Sequence, residues 1–371
     1  MTESACPAAT WITTQADLQT WFEPVADGDI VGVDTEFTRR STFYPQLSLL
    51  QLGHRGRYAL VDPLAFELGD ILERQLGQRP VTTVMHSAGE DLETLAPWLP
   101  HGPATLFDTQ IATAFSGGDM GAGYGALVKQ WCGVELDKGE TRSDWNQRPL
   151  TPSQIHYATL DVVYLEPLYR ALSERLAQGR HEDWFRADCI RLEQRADRAT
   201  APDQPQTELH AAADRPPAQQ ALLRRLLLWR ETTARRIDKP RTWLIDNHQA
   251  LDLVLHPPTD MNALMQATRG QRALRGPQRH ALLELLQMPV TDADIAATTP
   301  VAGRPDRSAK TTVQAMKSSV DDLARELNLP PGLLCPRKAI EAFIATGQWP
   351  GHLSGWRDTL LHARLAALLP R

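Results

Sequence analysis

Apolar and polar positions along the chain follow two regimes that change near residue 200. In the first, short apolar runs dominate. Ile30 to Phe37 (IVGVDTEF) opens with β-branched residues that fit a buried strand and closes on two acids. Pro45 to Gly53 (PQLSLLQLG) puts Leu47, Leu49 and Gln51 on one face and Ser48, Leu50 and Leu52 on the other, and HRGR at 54–57 turns into a third run, Tyr58 to Leu64. Three strands in succession predict an antiparallel start to a sheet. From Val81 strands alternate with helices. VTTVMH reads as a strand, and Ser87 with Glu90 reads as a capping box opening a helix through Leu99. TLF is a strand ending at Asp108, the expected N-cap of a helix TQIATAF. Thr151, Pro152 and Gln154 start the helix that carries HYATLD with a second capping box. Residues 1–196 are therefore expected to form an α/β domain, a mixed sheet with flanking helices.

The second regime has a helical period. Asp197 to Gln219 is rich in Pro, Ala and charge, and a linker is assigned to 197–215. A helix from Pro217 to Ile237 places Leu222, Leu226 and Trp229 on an apolar face, with Arg224, Arg225, Arg230, Arg235 and Arg236 elsewhere. Helical segments continue to about Gln287, giving an all-α domain over 216–288. A polar, Pro-punctuated linker (289–311) leads to a last helical domain, 312–371.

Composition is that of a soluble globular protein: 371 residues, 42% hydrophobic and 23% charged, long enough for two or three domains. No apolar run reaches membrane length, and the start MTESACPAAT lacks a signal-peptide pattern, so a cytoplasmic protein is expected. Cys6, Cys132, Cys189 and Cys335 lie far apart, without zinc-site spacing or a disulfide framework. The net charge of -6 conceals a split. Residues 1–196 hold 16 Lys/Arg against 27 Asp/Glu, whereas 197–371 hold 23 against 18. An acidic half suited to cations precedes a basic half suited to a polyanion.

The acids at the end of the first strand change the picture most. Asp34 and Glu36 are two apart and share a strand face, where they repel each other unless a cation sits between them. That is the chemistry of a hard divalent metal site; taken alone, the pair also fits a solvent-facing strand end. Asp91 falls in the first turn of its helix, where the helix dipole by itself favours an acid. Tyr157 and Asp161 are four apart and share a helix face, whereas His156 and Asp161, five apart, diverge by about 140° on a regular helix. Lys138, Arg142, Trp145 and Arg148 sit in a loop-rich stretch and fit either a nucleic-acid path or a solvated loop anchored by Trp145. Within 216–288, 11 Lys/Arg face 6 Asp/Glu, and Arg269, Arg272, Arg275 and Arg279 come without an acid between them.

In order and spacing, DTE at 34–36, HSAGED at 86–91 and YATLD at 157–161 resemble the three exonuclease motifs of the DEDD superfamily, tyrosine subclass. VDTEFTRRSTFYPQLSLLQL, SDWNQRPL and QIHYATLDVVYL bring the resemblance closer, to the ribonuclease D family, over most of residues 28–190. The helical regions are similar to HRDC domains, 216–288 to the first and LARELNLPPGLLCPRKAIEAFI with LSGWRDTLLHARLAALL to the second. The resemblance implies a ribonuclease H-like α/β exonuclease domain followed by two all-α HRDC-type domains. It implies that Asp34, Glu36, Asp91 and Asp161 hold two divalent ions, Mg²⁺ or Mn²⁺, and that Tyr157 positions the attacking water. An oxygen-only donor set suits those ions better than zinc. His156 stands at the spacing the sister histidine subclass uses for its base, and Tyr157 is preferred because it shares Asp161's helix face. The implied activity is 3'-to-5' exoribonucleolytic trimming of tRNA precursors and other small structured RNAs, releasing 5'-monophosphates. RNA is the expected partner, with no membrane, no obligatory protein partner and a monomer as the default. A 3'-to-5' DNA exonuclease and an RNA-binding scaffold with a vestigial nuclease fold are the alternatives.

Overall fold

The computed structural model describes residues 7–136, 139–140, 143–179, 181–196, 203–303 and 307–369. Contacts divide the chain into two compact units, the first made of Met1–Arg39, Pro45–Thr200 and Asn328–Leu333, the second of Arg40–Tyr44, Ala201–Leu327 and Leu334–Arg371. Cys6 and part of the expected 197–215 linker lie outside the described residues.

The first unit is built on a six-stranded mixed sheet: β1 (Ala9–Ile12), β2 (Ile30–Thr38), β3 (Gln46–His54), β4 (Arg57–Val61), β5 (Thr82–Met85) and β6 (Thr105–Asp108), in the order β1-β4-β3-β2-β5-β6. The expected antiparallel start is β2-β3-β4. β5 and β6 add parallel strands on the other side of β2, and the short β1 runs parallel to β4 at the edge. β2 thus lies where antiparallel and parallel halves meet, and the carboxyl ends of strands at such a switch are where open α/β sheets bind ligands. The sheet centre is dry: Val31, Val33, Leu49, Leu50 and Leu52 are fully buried.

Among the described residues of this unit are the α-helices α1 (Gln15–Phe22), α2 (Gly89–Leu95), α3 (Thr109–Phe115), α4 (Tyr124–Cys132), α5 (Pro152–Val163), α6 (Leu165–Gly179) and α7 (Glu182–Ala196). α5 has the expected capping box, with Thr151 Oγ1 accepting from Gln154 N–H and the Gln154 side-chain carbonyl accepting from Thr151 N–H. It comes close to the sheet because two glycines leave room. A Cβ on Gly53 would lie 3.1 Å from the Val162 carbonyl oxygen, and one on Gly32 would lie 3.5 Å from the same oxygen. α2 corrects the sequence reading at both ends, stopping at Leu95 and not Leu99. It begins at Gly89 with Ala88 as an uncapped N-cap, and Ser87 holds a left-handed φ of 58°. The cause is tertiary: Asp108 Oδ2 accepts from the Ala88 N–H, while its Oδ1 caps α3 as expected.

The second unit is helical: α8 (Pro217–Ile237), α9 (Arg241–Leu244), α10 (Asn247–Leu255), α11 (Met261–Ala267), α12 (Gly276–Gln287), α13 (Asp292–Ala296), α14 (Arg307–Leu327), α16 (Arg337–Thr346) and α17 (Trp356–Ala366); α15 (Pro331–Leu334) comes between α14 and α16 in sequence, all but its last residue counted in the first unit. α8 has the bounds the apolar period predicts. Its core joins Leu223, Leu226, Leu244, Ile245, Leu253, Leu264 and Leu282, and Phe43 is part of it. Asp238 Oδ1 accepts from the Phe43 and Tyr44 N–H groups, and the Arg235 and Arg241 guanidinium groups lie 5.1 and 4.5 Å from the Phe43 ring centre. The α8, α9, α10 series recurs as α14, α15, α16 at constant sequence offset. Each long helix stops at a residue of left-handed φ, Asp238 or Asn328. No helix among the described residues is long and apolar enough to cross a membrane.

Candidate metal centre

Strand alternation brings Asp34, at the middle of β2, and Glu36, two residues on, to one face, and α5 carries Asp161 to the same place. One carboxylate oxygen from each lies within 4.8 Å of the others. The fourth expected acid, Asp91, sits in the first turn of α2 and accepts a short hydrogen bond from the Thr35 hydroxyl at Oδ1. Its charge acts on all three of the others. The five residues singled out in the sequence therefore come from β2, α2 and α5, and Thr35 is a further member that sequence reasoning missed.

The acids act on one another in a poorly solvated place, and their proton affinities show it. Burial, then the charges of Asp161, Asp91 and Glu36, hold Asp34 well above the usual carboxylate range. Burial and the charges of Asp161 and Asp91 push Glu36 up to about 9. Burial also pushes Asp161 up to about 7, aided by Asp91, and Asp91 to about 6 against the Thr35 hydrogen bond. Structural carboxylates are normally paired with a cation or a set of N–H donors; here Asp91 and Asp161 raise both Asp34 and Glu36, and Asp91 raises Asp161. The donor set fits a hard divalent ion: oxygen ligands, several negative charges, and strong repulsion that a cation would relieve.

Tyr157 stands one helical turn before Asp161, half-buried, with its ring centre 6.0 Å from that of Trp145. His156 is exposed on the neighbouring helix face. Tyr124 locks the end of α5, donating its hydroxyl proton to the Leu160 carbonyl and accepting from the Tyr164 N–H. No sequence motif marks it.

Two of the four loop residues considered for nucleic acid turn inward. Trp145 is buried with Leu49, Leu60, Leu150 and Ala158. Arg148 makes a bidentate pair with Asp62 at 2.7 Å through both nitrogens and donates to the carbonyls of Ser48 and Trp145. A guanidinium that is fully engaged holds the loop to β3. Lys138 and Arg142 lie outside the described residues. In the second unit Arg230 is buried, donating to the Ile245 carbonyl and Asn247 Oδ1, and Arg225 binds the carbonyls of Met288 and Pro289 together with Asp294. Arg269, Arg272 and Arg275 are exposed, whereas Arg279 is half-buried.

Comparison with known proteins agrees with this geometry. Residues 9–177 match the 3'-5' exonuclease family. The chain is 37% identical to a ribonuclease D of Xanthomonas oryzae over 97% of its own length and 98% of the relative's. It is 31% identical to a ribonuclease D of Serratia proteamaculans over 96% and 98% of the two chains. The crystal structure of Escherichia coli RNase D, described as an exoribonuclease involved in structured RNA processing, superimposes with a TM-score of 0.82 at 28% identity, covering 97% of this chain and 98% of that one. The similarity runs through both units, the nuclease sheet and the helical region alike, and on it this chain belongs to the ribonuclease D family of 3'-5' exonucleases.

Proposed function

We propose that the chain is a 3'-to-5' exoribonuclease of the tyrosine subclass that trims extra 3' nucleotides from tRNA precursors and other small structured RNAs, releasing 5'-monophosphates. The observation that carries the reading is the meeting of Asp34, Glu36 and Asp161 oxygens on one face of β2, with Asp91 beside them. Asp34, Glu36, Asp91 and Asp161 would hold the cations. Two Mg²⁺ or Mn²⁺ ions would supply an acidified water and neutralise charge on the scissile phosphate and the leaving 3' oxygen. The protein's part is to hold the carboxylates in register, which β2 and the capped, glycine-seated α5 do. Tyr157, braced by Trp145, orients the attacking water.

The helical region supports an RNA role as two HRDC-type modules. The recurrence of α8, α9, α10 in α14, α15, α16 fits duplicated modules, with domains at 216–288 and 312–371, the second taking in as well the start of α14 at Arg307. Arg269, Arg272 and Arg275 are the arginines we assign to phosphate contacts. Replacing all three by Gln is expected to weaken RNA binding and to flatten the slope of log affinity against log salt by about 2, since each single-strand phosphate contact contributes roughly 0.7. Filter binding across a salt series reads this; an unchanged slope would remove these residues from the interface.

The activity is tested with a 5'-labelled tRNA bearing a 3' tail, incubated with Mg²⁺ or Mn²⁺, and with EDTA. A ladder that shortens from the 3' end and stalls near the mature terminus is expected only with metal. Tyr157→Phe is expected to slow the ladder by about a hundredfold, the lower range for loss of a group that handles a proton, while RNA affinity persists. Slowing by His156→Ala instead would transfer the role to His156. A tailed DNA strand degraded at the same rate would replace the RNA assignment with a sugar-indifferent one.

A further inference from the structure

The residue opposite Asp34 in the sheet is a glutamine in an apolar setting. β3 pairs Gln51 with Asp34 on one side, and β4 pairs Leu60 with Gln51 on the other. Directly opposed residues of antiparallel strands share a face, with Cβ atoms about 4.5–5.5 Å apart. The same face carries Leu49 opposite Glu36 and Gly53 opposite Gly32, and α5 lies over it at Val162. Gln51 is fully buried, and neither its Oε1 nor its Nε2 has a hydrogen-bond partner among the described residues. A buried carboxamide left in that state opposes folding, and Leu or Met would fill the volume without it. Packing therefore does not account for an amide here.

Its register partner does. We infer that Gln51 is a positioning residue for the metal centre: its side-chain N–H donates to the Asp34 carboxylate when that carboxylate holds a cation, fixing its orientation. The chemistry of the side chain suits the task. A neutral donor can steady a ligating carboxylate from behind, as outer hydrogen-bond partners of metal ligands do. An arginine in its place would neutralise Asp34 and compete with the cation, and a glutamate would add to the repulsion. Full burial keeps Gln51 from substrate, so its effect falls on the cation and not on RNA.

The inference rests on Asp34 holding a divalent ion, and the test separates the two. Mn²⁺ binding to the full-length wild type, Q51M and D34N proteins is followed by the electron paramagnetic resonance signal of free Mn²⁺, with melting measured in EDTA. Q51M is expected to melt no lower than wild type and to bind Mn²⁺ about 10–100-fold more weakly, the usual loss when such a partner is removed. Turnover of Q51M should recover towards the wild-type rate as Mn²⁺ is raised. Wild-type Mn²⁺ affinity in Q51M would overturn the inference while leaving the metal centre intact. Failure of the wild type to bind Mn²⁺ would overturn both. A second readout uses the native protein and so does not depend on how Q51M folds. Adding Mg²⁺ should slow hydrogen exchange of the Gln51 side-chain amide, seen by NMR of glutamine-labelled protein, and an unchanged exchange rate counts against the hydrogen bond.

Discussion

Substituting Asn for Asp34 is expected to reduce 3'-to-5' turnover by about a thousandfold or more and, in the same protein, to raise the melting temperature in EDTA. The first effect follows from the position of Asp34, which contributes an oxygen to the carboxylate cluster and receives the charge of Glu36, Asp91 and Asp161. Losing one anionic ligand of a metal that stabilises charge in the transition state costs several kcal/mol of barrier, and about 4 kcal/mol is a thousandfold. The second effect follows from the same repulsion. An amide of the same shape removes one like charge, or one forced protonation, from a buried position that Asp161, Asp91 and Glu36 all push up. Activity and stability thus move in opposite directions, which a merely structural acid would not produce. Single-turnover cleavage and a thermal melt of the same preparation read both. A variant that loses turnover together with several degrees of melting temperature would place Asp34 in the scaffold.

Much of this architecture is legible in the local chemistry of the sequence. The two-residue spacing of Asp34 and Glu36 suffices to put them on one strand face, and Thr151, Pro152 and Gln154 mark the start of α5 because a capping box is completed within four residues. The period of Leu222, Leu226 and Trp229 gives α8 its limits. What escapes a sequence reading is settled by distant partners. Ser87 has the sequence of a cap, but Asp108, twenty-one residues on, claims the neighbouring Ala88 N–H and bends the chain there. Arg148 and Arg230 read as surface charge because their acceptors, Asp62 with the Ser48 carbonyl and the Ile245 carbonyl with Asn247, are met only in the folded chain. β1 has four residues, two of its middle positions exposed, and too little apolar pattern to announce a parallel edge strand. Alternation puts Gln51 on the right face with Leu47 and Leu49, but its opposition to Asp34 depends on register, which alternation within one strand does not specify.

The metal-free protein is expected to lose stability as pH rises from about 7 to about 9, the reverse of the usual behaviour of acids in folded proteins. Glu36 is pushed up to about 9 and Asp161 to about 7, and Asp34 lies well above its ordinary range. Over this window the unfolded chain has already given up these protons while the folded one still holds part of them. The folded state binds more protons, so ΔG of unfolding falls with pH, and the stability these groups retain at low pH is lost through their folded pKa values. Groups outside the cluster also bear on the window. Glu193, raised to about 7 by burial, acts in the same direction from α7, as do Cys132, Cys189 and Cys335, whose thiols burial pushes up, while His86, lowered by burial, opposes them near pH 7, where the unfolded imidazole still holds part of its proton. Asp34→Asn separates the cluster's share from that of Glu193 and should flatten the decline. Mg²⁺ competes with the same protons for the same oxygens, so its stabilising effect should grow from pH 7 to pH 9 and shrink towards acid pH. Melting curves in EDTA and in Mg²⁺, for wild type and Asp34→Asn, test this together. A wild-type melting temperature in EDTA that climbs over this window would mean that the acids are already compensated within the protein, and a cation would then have no unmet charge to answer on that face of β2.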